Sequence, residues 1–231
     1  MRYALLIPAY NEEKSIANII RDASRHVQDI FVVDDGSKDR TALIARKAGA
    51  HVIIHQKNMG KGTALLTGFS EIIKGNFDAV ITMDADGQHL PSEIPLLVAA
   101  FERGDSDIII GERLIHRQRM PIHRSLANRI GEFFISRAVG TKIRDTQSGF
   151  RIYKREVIKR IRIETTGFEM ETEILLKSRR AGFRIGTVPI TTVYPKGYSS
   201  HVRPVRDFYR ISIFFLRHLL KKNCLSLNIP Y

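Results

Sequence analysis

The chain has 231 residues, 43% of them hydrophobic, and a formal net charge of +13. That length buries a substantial core in one large α/β domain more readily than in two small ones. A single cysteine, Cys224, excludes an internal disulfide and suits a reducing compartment. The charge is uneven: from Arg113 to Arg162 there are 14 Lys and Arg against three acids, Glu132, Asp145 and Glu156. Such a surplus attracts polyanions (nucleic acid, anionic lipid headgroups, phosphorylated substrates) or forms only a solvated basic surface.

Short apolar runs alternating with helical periodicity predict βαβ units and a mainly parallel sheet. Tyr3–Ile7 reads as the first strand, and Ile16, Ile19, Ile20, Ala23 and Val27 then mark one face of a helix. Ile30–Val33 makes a second strand and Thr41–Ala48 a second helix, with Asp39 as its N-cap. Val52–Ile54, Ala79–Met83 and Ile108–Ile110 read as further buried strands, with helices over Lys61–Ile73 and Ser92–Phe101 between them. Beyond Gly111 the pattern predicts amphipathic helix over Ser125–Val139, helix over Glu169–Arg180, a strand over Arg184–Val193 and a last helix over Val205–Leu220. The expected organisation is one α/β domain over residues 1–203 and a basic amphipathic helix and tail over 204–231.

Ala4-Leu5-Leu6-Ile7 is too short for the apolar core of a secretory signal and runs into Pro8, so none is expected. No segment reads as bilayer-spanning: Ile211–Leu220 is about half the roughly 20 residues required and contains Arg217 and His218. The last helix, with Tyr209, Phe214 and Phe215 among its arginines, fits either the membrane interface or packing on a core.

Three polar motifs fall where strands should end, which is where open α/β sheets bind ligands: Pro8-Ala9-Tyr10-Asn11-Glu12, Val33-Asp34-Asp35-Gly36-Ser37 and Asp84-Ala85-Asp86-Gly87-Gln88-His89. Singly, such acids cap helices or form turns; together at one sheet edge they point to a site. Asp84-x-Asp86 suits a hard divalent cation that completes its shell with substrate phosphates. An EF-hand is excluded because Gly87 is the fourth residue of the run and a strand precedes it. Gly60-Lys61-Gly62-Thr63 lacks the earlier glycine of a phosphate-binding Walker loop, no GxGxxG is present, and the eight histidines show no zinc-like spacing.

These motifs, with Asn58-x-Gly60-Lys61-Gly62, Gly111-x-Arg113 and Ser148-Gly149-Phe150-Arg151, occur in an order and at spacings that resemble the family-2 glycosyltransferases, in particular the dolichyl-phosphate mannosyltransferase-like (polyprenyl-phosphate glycosyltransferase) branch. The resemblance covers roughly residues 3–200. It implies a GT-A fold, a mainly parallel twisted sheet flanked by helices, and inverting transfer of a hexose from a nucleotide sugar (GDP-mannose or UDP-glucose) to a lipid phosphate. By position, Pro8, Tyr10, Glu12, Val33 and Asp35 would surround base and ribose, with Ala9, Ala85, Ser148 and Lys196 completing the substrate-binding set. Asp84, Asp86 and Gln88 would hold Mg2+ or Mn2+. Asp86, Arg113 and Arg151 are the candidate catalytic residues, and Arg113, Arg129 and Arg151 the candidate phosphate clamps.

Leaving-group charge builds on the diphosphate, so a metal and nearby cations suit this chemistry, and an anionic acceptor needs little general-base help. After Val193 the sequence departs from that branch: Tyr194 and Ser200 stand where basic residues are expected, with Lys196, His201 or Arg203 as substitutes. Three acids at Glu169, Glu171 and Glu173 suit a helix start; Glu169 or Asp145 would serve as base if the acceptor were a hydroxyl of a glycan, glycolipid or protein. A nucleic-acid-binding reading leaves Asp84 and Asp86 unexplained, and no nucleic-acid partner is expected. A sugar-binding relative without activity is opposed by the intact metal-site residues. The implied setting is cytoplasmic, peripheral on the cytoplasmic membrane face.

Overall fold

The computed structural model describes residues 1–113, 135–167 and 169–191. The chain divides into two units, Met1–Tyr198 and Ser199–Tyr231; the described elements belong to the first, and the second lies outside the described residues. Strands β1 (Tyr3–Ala9), β2 (Asp29–Asp34), β3 (His51–Ile54), β4 (Ala79–Thr82), β5 (Ile108–Arg113), β6 (Arg151–Lys154) and β7 (Ile185–Ile190) form one sheet in the order β3-β2-β1-β4-β6-β5-β7. All neighbouring pairs are parallel except those of β6, which runs antiparallel to both β4 and β5. The mainly parallel α/β architecture expected from the sequence is the one observed.

β1 reads as a continuous apolar run because it is central, with Ala4, Leu5, Leu6 and Ile7 wholly buried beneath helices. Helix α1 (Ile16–Ala23) buries Ile16, Ile19, Ile20 and Ala23, the three-and-four spacing seen in the sequence. It stops at Ala23, short of Val27, which turns back into the core. Helix α2 (Thr41–Lys47) begins where Asp39 accepts the Thr41 N–H at 2.9 Å and the Glu13 N–H at 3.2 Å, so Asp39 caps this helix from two residues upstream while bracing the turn after β1. Helix α3 (Lys61–Lys74) crosses β1 closely enough that a Cβ on Gly68 would meet Leu6 at 2.2 Å. A 3-10 turn, Pro91–Glu93, leads into α4 (Ile94–Glu102).

Three expectations need correction. Val52–Ile54 is an edge strand: Ile54 is 47% exposed, because β3 has a neighbour on one side only. β6 was not foreseen; it is four residues long and starts at an arginine, so it carries no apolar run, yet it lies mid-sheet with Arg151, Ile152 and Tyr153 buried. The short basic helix α5 (Arg155–Arg160) after it was hidden by its charge. Helix α6 (Glu169–Arg180) and β7 fall where the sequence places them. Of the expected helix Ser125–Val139, residues 135–139 are helical; the remainder, and the expected last helix, lie outside the described residues.

Candidate active site

β1, β2 and β4 are parallel and end at one sheet edge, so the residues that follow them meet there. Asn11, at a φ of 56° tolerated by asparagine, donates its N–H to Ser37 Oγ and accepts the Lys38 N–H, each at 2.8 Å. The Glu12 N–H donates to Thr41 Oγ1 at 2.8 Å. Ser15 Oγ lies 2.8 Å from Glu12 Oε2 and 2.7 Å from the Ala85 carbonyl, which ties the turn after β1 to the turn after β4. The three motifs are thus one hydrogen-bonded platform.

Within it, Tyr10 and Glu12 are half-buried, whereas Pro8, Ala9 and Ala85 are buried. Val33 is fully buried on β2, so any contact with a base falls to its backbone. Asp35 is buried too; its carboxylate accepts the Met59 and Gly60 N–H groups at 2.9 and 2.7 Å and faces His55 Nδ1 at 2.7 Å. Asp35 therefore fastens the loop leading into α3. Gly36 lets the two segments touch: it has a φ of 73°, and a Cβ there would lie 2.5 Å from the Lys57 carbonyl carbon.

Asp84 and Asp86 stand at the centre, half-buried just past the end of β4. Burial, then the charge of Asp84, raises the Asp86 carboxyl above its ordinary value. Burial alone would raise Asp84 as well, but its cationic neighbours together, Lys61 foremost, hold that carboxyl below its ordinary value. Lys61 Nζ lies 2.7 Å from Asp84 Oδ1 and 2.8 Å from Glu171 Oε1. His89 Nε2 stands 3.9 Å from Asp84 Oδ2, its ring tilted against Phe150; burial pushes this imidazole down to about 4, so at neutral pH it adds no charge. Gly149 backs Asp84 directly: a Cβ there would meet Asp84 Oδ2 at 2.4 Å. Its carbonyl is held by Thr82 Oγ1 at 2.8 Å.

Arg113, at the end of β5, grips Asp145 with Nε at 2.5 Å and Nη2 at 3.1 Å, and its Nη1 reaches Gln88 Oε1 at 3.2 Å. Burial opposes the guanidinium charge, but the carboxylates facing it together, Asp145 foremost with Asp84 and Glu171, raise the arginine. Gln88 is buried with its amide oxygen given to Arg113, a bond it would have to release to join a metal shell. Asp145, with both oxygens on Arg113, is that arginine's counter-ion and not a free base.

The expectation that Arg151 clamps a phosphate is corrected. Arg151 is fully buried, donating from Nε to the Ser148 carbonyl at 2.7 Å, from Nη1 to the Glu171 carbonyl at 3.0 Å and from Nη2 to the Thr146 carbonyl at 2.7 Å. Ser148, also fully buried, turns its hydroxyl oxygen to the Phe150 N–H at 3.3 Å. The Ser-Gly-Phe-Arg motif is scaffold: it seats the backbone behind Asp84 and fixes the start of α6. Arg129 and Lys196 lie outside the described residues. The motif residues that sequence reasoning passed over are Lys61, Glu171 and Gly149, which surround Asp84. Lys61 and Gly149 were visible only as letters in motifs, and Glu171 as one of three acids opening a helix.

Among the described residues no three His, Cys, Asp or Glu side chains converge as a ready-made metal cage. Two hard carboxylates two residues apart, one of them raised by burial and its neighbour's charge, do fit a Mg2+ or Mn2+ ion that takes its other ligands from a diphosphate and water.

This arrangement of motifs agrees with a direct family match, in which the Glycosyl transferase family 2 model covers residues 4–162. The chain belongs to glycosyltransferase family 2. Similar to this family-2 chain is an undecaprenyl-phosphate mannosyltransferase of Micrococcus luteus, 31% identical over 84% of the chain and 84% of the relative. A UDP-N-acetylglucosamine–dolichyl-phosphate N-acetylglucosaminyltransferase of Methanococcus voltae is 30% identical over 94% of the chain and 95% of the relative. Among solved structures, glucosyl-3-phosphoglycerate synthase of Mycobacterium tuberculosis, in complex with Mn2+, UDP and phosphoglyceric acid, is similar with a TM-score of 0.70 and 21% identity, covering 100% of the chain and 80% of that one. The last likeness speaks to the fold. The family-2 chain is accordingly a glycosyltransferase of GT-A-type α/β architecture. Among its described residues no helix is long and apolar enough to cross a membrane.

Proposed function

We propose that the protein is an inverting hexosyltransferase that moves mannose or glucose from a nucleoside-diphosphate sugar to a polyprenyl phosphate, peripherally at the cytoplasmic face of a membrane. The observation that carries the reading is the pairing of Asp84 and Asp86 on the hydrogen-bonded platform with Arg113 beside it, in a family-2 chain. Named relatives that act on polyprenyl phosphates, matching over most of both lengths, support the acceptor class.

Asp84 and Asp86 would hold Mg2+ or Mn2+, which would neutralise charge developing on the diphosphate leaving group. Tyr10 and Glu12, on the turn after β1, would flank the nucleoside. Arg113 has its guanidinium fixed in one orientation by Asp145, which suits it to a phosphate oxygen of donor or acceptor. The engagement of Asp145 also favours a phosphate acceptor over a hydroxyl: a lipid phosphate is already anionic, and this carboxylate is not free to take a proton.

The test is a donor panel. Radiolabelled GDP-mannose, UDP-glucose and UDP-N-acetylglucosamine are each supplied with Mn2+ or Mg2+, with and without polyprenyl phosphate, and extracted into organic solvent. Label entering the organic phase, dependent on lipid and abolished by EDTA, is the expected result and names the sugar. Metal-dependent donor binding without transfer to lipid would overturn the acceptor and redirect the search to hydroxyls. Lipid transfer undiminished by EDTA would overturn the metal.

A further inference from the structure

We infer that Lys61 is a placeholder cation: its ammonium and the incoming divalent ion compete for Asp84, and Glu171 provides the second carboxylate that lets the ammonium yield. This rests on the reading of Asp84 and Asp86 as the metal site. The ammonium sits between Asp84 Oδ1 at 2.7 Å and Glu171 Oε1 at 2.8 Å. Asp84 and Asp86, Glu171 and Asp145 face Lys61, Arg113 and Arg151, so the cluster carries four carboxylates against three cations. The charges of Lys61 and Arg113 offset both Asp84 and Asp86, with Lys61 in direct contact with Asp84.

The surroundings make the lysine side chain the part that can move. Asp84 has Gly149 directly behind it, with no room for even a Cβ. Glu171 is buried on α6, its own carbonyl held by Arg151 Nη1 at 3.0 Å and its Oε2 3.9 Å from Arg151 Nη2. The base of Lys61 is fixed as well: Gly60 N–H is held by Asp35 Oδ2 at 2.7 Å, and a Cβ on Gly62 would lie 2.4 Å from the Thr166 carbonyl oxygen. The segment carrying Thr166 is tethered in turn by Glu173, whose Oε2 accepts the Thr165 N–H at 2.8 Å and the Thr165 hydroxyl at 2.6 Å. With both carboxylates and the lysine backbone fixed, the four-carbon stem can pivot toward Glu171 alone and leave Asp84 to a cation. The opposing roles of the two partners follow. The Lys61 charge repels the ion, and the Glu171 charge attracts it while giving the ammonium somewhere to go.

The experiment measures Mn2+ affinity directly, from the electron paramagnetic resonance signal of free Mn2+ during titration at fixed ionic strength, without any sugar donor. Wild type, Asp86→Asn, Lys61→Met and Glu171→Gln are compared, with circular dichroism and melting to verify folding; Lys61→Gln is the companion variant should methionine not be accepted. A unit charge about 5 Å from a divalent ion changes its affinity by on the order of tenfold even in a water-like dielectric. Lys61→Met should therefore bind Mn2+ about tenfold more tightly than wild type, and Glu171→Gln about tenfold more weakly. A merely structural pair would weaken binding in both variants, and that outcome, or no change in either, overturns the inference. Wild type binding no more Mn2+ than Asp86→Asn would instead bring down the metal reading itself.

Discussion

Replacing Arg151 with methionine separates a scaffold role from a ligand role. Its guanidinium makes three hydrogen bonds to the Ser148, Glu171 and Thr146 carbonyls and is fully buried. Hydrogen bonds from a charged donor contribute about 1.5–3 kcal/mol each, and removing one partner of a buried ion pair costs about 3–5 kcal/mol. The terms overlap, because the same group makes both, and methionine keeps much of the apolar stem, so a net loss of about 4 kcal/mol is expected. In a chain of 231 residues each kcal/mol shifts the melting temperature by roughly 2–4 °C, giving a fall of roughly 8–16 °C. The assay is thermal unfolding by circular dichroism, with glycosyl transfer measured well below the lower midpoint. A melting temperature within about 2 °C of wild type, together with a large fall in turnover, would refute the reasoning and return Arg151 to the ligand.

Three further perturbations test the site. Asp86 has a raised folded-state pKa, so its contribution to stability is present below its ordinary value of 3.8 and is lost as pH rises through the folded value. Asp86→Asn should therefore melt higher than wild type at pH 7 in EDTA, with the gap closing toward pH 4, while turnover falls by about a hundredfold or more; a variant that melts lower at pH 7 contradicts the assignment. Gly62→Ala forces a side-chain Cβ to within 2.4 Å of the Thr166 backbone carbonyl oxygen and should lower the urea-unfolding free energy by about 1–3 kcal/mol. An unchanged midpoint would mean that the segment carrying Thr166 is free to retreat. Arg113→Ala removes a charged hydrogen-bond donor worth roughly 10- to 100-fold in KM for the anionic substrate it holds. Its KM should also respond less to added salt, and kinetics equal to wild type would reduce Arg113 to a partner of Asp145.

The parallel half of the sheet was legible because each strand there is an apolar run closed by a polar turn, and α1 and α3 carry unbroken helical periodicity. What escaped was structure whose chemistry points the other way. β6 opens on a buried arginine that is satisfied by carbonyls from distant segments, a pairing that spacing along the chain does not reveal. Asp84 and Asp86 could be picked out from their alternation after a strand, whereas Lys61 and Glu171, 110 positions apart, meet only because the first residues of α3 and α6 converge on Asp84. For the same reason Arg151 and Ser148 were grouped with ligand-binding residues. A motif records that residues are constrained, and burial decides whether the constraint comes from a ligand or from the fold.

The reversed direction of β6 has a consequence for how this molecule can change. Ile110 on β5 is paired with Arg151 on β6, and the Gly111 N–H donates to the Phe150 carbonyl at 2.9 Å, so the two strand ends that flank residues 114–150 are clasped side by side. A detour whose two ends are already clasped in neighbouring strands adds little closure entropy when lengthened, since that term grows only logarithmically with length. Chain length can therefore be changed between Arg113 and Ile135 at little cost in closure entropy, whereas Asp145, Gly149 and Phe150 are bound to their places by Arg113, Asp84 and His89.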